Sequence, residues 1–186
     1  MIKSTGSAAL VNNFSSVMNR CLEEKKPAAA EEDVSKYLKT FNITSISEEG
    51  SLVVSTAGTC PSVAINMDEP ITLGGTNQGP TPLELSLASL SGCEIITARY
   101  AARGMKMQIK SISCTKMSGV LDVRGLRGVA GVPAHFKSVD MVFEVETNES
   151  NERIDTLKER VERSCPVFQM FKAANVTMNC VWKRKD

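Results

Sequence analysis

The sequence predicts an α+β chain, and three stretches carry that reading. Residues 43–73 hold strand-forming positions (Thr44, Ile46, Leu52, Val53, Val54, Val63 and Ile65) broken by Glu-Glu-Gly and Gly-Thr-Cys-Pro turns. Residues 82–103 keep one uninterrupted helical pattern, and residues 135–147 alternate as a strand does, with Phe136, Val139, Met141, Phe143 and Val145 apolar.

Taken in chain order, residues 1–42 form an arm and residues 43–186 the main domain. In the arm, the segment KPAAAEEDVSKYLKTFN predicts a helix: Pro27 stands near its start, acids follow early, and Lys36 and Lys39 fall late. Val34, Leu38 and Phe41 make its apolar stripe. The strands of 43–73 read as antiparallel. GGTNQGPTP then makes a loop, with the glycines read as turn positions of positive φ. Thr81 is the N-cap of the long helix, Pro82 its first residue and Glu84 the capping-box acid; Gly104 ends it. Leu83, Leu87, Leu90, Ile95, Ile96, Ala98 and Ala101 leave the helix almost no polar face. Such a helix is buried on nearly all sides, against a sheet on one and a second subunit on the other. A strand follows at 107–119, then a Gly-rich loop with Arg124 and Arg127, then the alternating strand. Asn148 or Ser150 caps a helix with Ile154, Leu157 and Val161 on one face. Cys165-Pro166 interrupts it, with Cys165 as N-cap of a new short helix. Residues 176–183 are a last strand.

Composition narrows the function. The 186 residues are 42% hydrophobic and 23% charged, and 22 Lys and Arg against 21 Asp and Glu leave a net charge of +1. A strongly basic nucleic-acid binder and a charge-expanded disordered chain are both excluded. No stretch approaches the roughly 20 apolar residues of a membrane span. Six cysteines in a chain without a secretory-type beginning indicate a reducing compartment, the cytoplasm. The Ser-rich beginning, with no acid before Glu23, gives a mitochondrial or other organellar destination as the alternative. One histidine, His135, and no Cys-x-x-Cys pair make zinc an unsuitable guest.

Among the thiols, Cys165 has favourable local physics, because the N-terminus of a helix stabilises a thiolate. Its alternative is a small buried residue at a helix junction. Cys93 lies in the apolar helix, where burial raises a thiol pKa, so it needs a cation to become nucleophilic. Cys21, Cys60, Cys114 and Cys180 carry no supporting motif.

The segments GGTNQGPTPLELSLASLSGCEIITARYAARG and RVERSCPVFQM together resemble the OsmC/Ohr family. The resemblance spans the main domain and excludes the arm. It implies two central helices wrapped by antiparallel sheets, in an intertwined homodimer with active sites at the interface. It implies that Cys93 attacks a peroxide oxygen to give a sulfenic acid and that Cys165 condenses with it to a disulfide, which an external dithiol reduces. No cofactor, nucleic acid or membrane is involved. Two positions depart from the family pattern. The family places an Arg from the N-terminal strands beside the thiolate, whereas no Arg occurs here between Arg20 and Arg99; Arg99, Arg124, Arg127 and His135 are the replacements on offer. The family's Glu directly follows the Pro, whereas here Leu83 intervenes and Glu84 stands one position later, where capping also accounts for it. These departures leave two other readings open: a dimeric stress or binding protein without efficient turnover, and a dithiol–disulfide exchanger.

Overall fold

The computed structural model describes residues 34–47 and 50–185. The chain divides into two units, Met1–Phe41 and Asn42–Asp186. Of the first, residues 34–41 are described, and the arm helix is corrected there. The chain makes one 3-10 turn, Ser35–Tyr37, and Leu38 is already extended (φ −75°, ψ 136°). Val34, Tyr37, Leu38 and Phe41 are exposed. Val34, Tyr37, Thr40 and Phe41 are only modest helix formers, so local propensity alone does not hold a helix here. The remainder of that expected helix, and Cys21, lie outside the described residues.

In the second unit, strands β1 (Ile43–Ile46), β2 (Val53–Ala57) and β3 (Cys60–Met67) pair antiparallel in that order. The strand pattern ends at Met67, not Leu73: Ile71–Leu73 is a 3-10 turn in the loop that follows. Only Ser55 of these strands is buried, its hydroxyl 2.8 Å from that of Ser45. No helix or other strand packs extensively on this sheet among the described residues.

The long helix, α1 (Pro82–Gly104), begins as expected. Thr81 N donates to Glu84 Oε2 (2.8 Å) and Glu84 N donates to Thr81 Oγ1 (3.2 Å), a complete capping box. Gly104 is its last residue and Met105 its C-cap; the left-handed position falls on Lys106 (φ 55°). One face is covered, by Leu90, Glu94, Ala98, Ala101 and Ala102, while Ile96 and Tyr100 remain 59% and 68% exposed.

The second sheet holds β4 (Ile109–Leu121), β5 (Phe136–Thr147) and β6 (Thr177–Arg184). The Gly-rich segment after β4 contains a short helix, α2 (Val123–Leu126), whose start Asp122 caps. All five apolar positions anticipated in β5 are buried. Ser150 precedes α3 (Asn151–Ser164), and Cys165 is the N-cap of α4 (Pro166–Ala173). Ile154, Leu157 and Val161 face the core, and Phe143 stacks on Trp182 with ring centroids 4.6 Å apart. The expectation of purely antiparallel sheets is corrected at one place: β6 runs parallel to β5. A parallel neighbour needs a long crossover, and α3 with α4 supplies it. α1 packs on β4, α3 and α4, so the helical layer covers this sheet.

Candidate functional site

The loop before α1 is organised by one buried carboxylate, Asp68. Its Oδ1 accepts from Ser51 Oγ (2.5 Å) and Glu69 N (2.8 Å). Its Oδ2 accepts from Thr76 N (3.0 Å), Thr76 Oγ1 (2.6 Å) and Gln78 N (3.1 Å). These donors, Ser51 foremost, hold the acid far below the usual carboxylate range. The Gly-Gly-Thr-Asn-Gln-Gly segment winds around it. Gly74 takes a positive φ (86°), as expected of the segment. Gly75 and Gly79 serve close approach instead: a Cβ would lie 1.8 Å from the Glu69 carbonyl oxygen at the first and 2.5 Å from that of Asn66 at the second. This loop delivers the chain to Thr81 and so fixes where α1 starts. Asp68 escaped the sequence reading; a lone Asp at a strand end followed by a Ser/Thr/Gly-rich loop is the signal that points to it.

Cys93 sits half-buried on α1, and Cys165 is 0% exposed at the α3–α4 junction. Cys93 is near enough to Cys165 to perturb its thiol. Cys165 N donates to the Val161 carbonyl (2.8 Å), closing α3, while its Sγ accepts from Phe168 N (3.5 Å), opening α4. The helix start does favour a thiolate there, but burial outweighs it. Desolvation first, then the neighbouring Cys93 and Glu94, push the Cys165 thiol up to about 11, with only the Phe168 N–H opposing. The activation expected for Cys165 is thus corrected: it is a protonated thiol beside a more accessible sulfur.

The other candidates are placed as follows. Glu84 gives its hydrogen bonds to Thr81, from whose N–H and hydroxyl it accepts; those bonds lower its pKa. Arg99 donates to the carbonyls of Ile109 (2.9 Å) and Lys110 (3.2 Å), tying α1 to β4. Arg124 is held by Asp122 through Nε and Nη2 (2.6 Å). His135 Nδ1 donates to the Phe136 carbonyl (2.8 Å). Three of the four cations proposed for the thiolate are therefore engaged with backbone or carboxylate partners. Cys60 is exposed at the start of β3. Cys114 and Cys180 are half-buried, and burial raises both thiols, Cys180 far more strongly. Among the described residues no group of His, Cys, Asp and Glu is arranged to hold a metal.

The family model for OsmC-like protein matches residues 75–180, which holds the Asp68-bound loop's later half, α1, both thiols and the whole second sheet up to Cys180. The chain belongs to the OsmC-like family. Solved OsmC-like structures share the fold at low identity. One from Mycoplasma pneumoniae matches with a TM-score of 0.67 and 19% identity over 80% of this chain and 99% of that one. An organic hydroperoxide resistance protein OsmC from Legionella pneumophila matches with 0.60 and 18% over 78% and 98%. The organic hydroperoxide resistance protein OhrB of Bacillus subtilis matches with 0.53 and 19% over 78% and 98%. No curated protein gives a significant match. No helix of this OsmC-like chain is long and apolar enough, among the described residues, to cross a membrane.

Proposed function

We propose that the protein is a thiol-dependent peroxidase that reduces organic hydroperoxides through Cys93 and Cys165. The observation that carries this reading is the pairing itself: a half-exposed sulfur on α1 beside a buried, protonated one at a helix junction. The Cys93 thiolate attacks the terminal peroxide oxygen and keeps its OH as a sulfenic acid; the O–O bond breaks, and the leaving alkoxide takes from solvent the proton that Cys93 gave up on ionising, departing as an alcohol. The Cys165 sulfur then displaces hydroxide from it, giving a disulfide and water before further oxidation intervenes. An external dithiol restores both thiols by exchange. Family membership supports the reading, as do the hydroperoxide-resistance names that structural neighbours carry.

The working form in this reading is a homodimer. The β1–β3 sheet and the exposed Ile96 and Tyr100 of α1 support it, because both present apolar side chains that no other described residue covers. The engaged cations Arg99, Arg124 and His135 favour a second reading, a binding protein of the same fold with little turnover. One assay separates them. With tert-butyl hydroperoxide and a dithiol reductant, wild type turns over, Cys93→Ser falls to background, and Cys165→Ser consumes one equivalent and stops. Equal rates in wild type and Cys93→Ser would reject the peroxidase. A wild type at background would leave the binding reading.

A further inference from the structure

Among the described residues, the only buried side-chain nitrogen or oxygen atoms without a hydrogen-bond partner are the two carboxyl oxygens of Glu94. Glu94 is 0% exposed, so neither bulk solvent nor a second copy of the chain covers it. A methionine would fill such a place without stranding two polar atoms. The residue directly follows Cys93 on α1, and α1 packs against α3 and α4, the helices that meet at Cys165. The titratable groups facing it are Lys158 and Glu162 from α3, Cys165 at the junction, Cys114 from β4 and Cys180 from β6. Most of these are occupied. Lys158 pairs with Glu162 at 3.5 Å. Cys114 Sγ donates to the Lys116 carbonyl (3.2 Å), and Cys180 Sγ accepts from Trp182 Nε1 (3.2 Å). Cys165 is the one neighbour whose proposed chemistry requires a proton to move in the core.

We infer that Glu94 is the proton relay of disulfide closure, supplying a proton to the hydroxide that leaves Cys93 and receiving the one that Cys165 gives up. The inference rests on the peroxidase reading above. The step balances. The Cys165 sulfur pair forms the S–S bond, and the S–O bond of the Cys93 sulfenic acid breaks. The departing hydroxide takes the Glu94 proton to become water, and the Cys165 proton regenerates the acid. Desolvation, then the Glu162 charge, raise Glu94 to about 8 against the pull of Lys158, so it holds a proton to give at neutral pH.

The test is single-turnover closure, with sulfenate formed by one equivalent of tert-butyl hydroperoxide, quenched at intervals and followed by mass spectrometry. Dimedone labelling of Cys93 reports the sulfenate in each variant. Wild-type closure should decline above pH 8 as the relay ionises. Glu94→Gln and Glu94→Met should close about 100-fold more slowly at pH 7, the lower end of general acid–base contributions, and lose that decline. Glu94→Asp should restore part of the rate. Closure at the wild-type rate and with the wild-type pH profile in folded Glu94→Gln would overturn the inference. If neither variant folds, a wild-type rate that keeps rising above pH 8 overturns it equally. A wild type that forms no sulfenate would remove the peroxidase reading, and the relay with it.

Discussion

At Cys165 two influences act on one sulfur: the start of α4 favours a thiolate, and complete burial opposes it. Burial prevails, and the thiol rises to about 11. The cap was legible in Cys-Pro, because Pro166 marks a first helical turn. The depth of the junction was not, because it depends on α1 arriving from far along the chain. Glu94 follows the same logic, and at lower pH. Its folded pKa of about 8 lies above the ordinary 4.5. Below about pH 4.5 the acid is protonated in both states and exerts no penalty. As pH rises toward 8, the unfolded chain ionises while the folded one keeps its proton, so stability falls. Glu94→Met should therefore raise the melting temperature most near pH 8, with the gap closing toward pH 4.5. A constant gap across that range, measured by thermal melts, would show that Glu94 ionises freely in the fold.

The elements differ in how openly the sequence announces them. α1 was legible at its start, since Thr81, Pro82 and Glu84 are local signals and the capping box forms as they predict. β5 and α3 were legible through their periodicities. The direction of β6 was not, because a strand's neighbour and sense are set by the crossover rather than by its own residues. The arm misled because its stripe has helical spacing, whereas the described residues make one 3-10 turn and then extend. The loop after β3 looked like a set of turns and is a cage around Asp68. Its glycines at 75 and 79 are needed for space, so Gly75→Ala, whose Cβ would sit 1.8 Å from a carbonyl oxygen, should cost more than an ordinary strained turn. Its melting temperature should drop by more than that of Gly50→Ala, where a Cβ meets nothing within 4 Å and only the positive φ objects. Equal losses would mean the loop can shift aside. Packing within α3 sets the scale for comparison: Leu157→Ala, at a fully buried position, should cost about 2–5 kcal/mol by denaturant unfolding.

At the scale of the molecule, among the described residues the β4–β6 sheet is covered by helices and the β1–β3 sheet is not, and the proposed homodimer is tested there. Light scattering should give about twice the 20.1 kDa of a single chain, and Tyr100→Glu should shift it toward that single mass. A wild-type monomer would instead leave the bare sheet to another partner. The proposed thiol pair belongs to this scale too, because it depends on the packing of α1 against α3 and α4. The sequence could name them, through the Gly-Cys and Ser-Cys-Pro-Val segments, but not their separation. The pair itself is the central claim, and mass spectrometry after one equivalent of an organic hydroperoxide tests it most directly. The account predicts a rapid Cys93–Cys165 disulfide in wild type and none in Cys93→Ser; Cys93 left reduced, or oxidised to sulfinic acid with Cys165 still free, would contradict it.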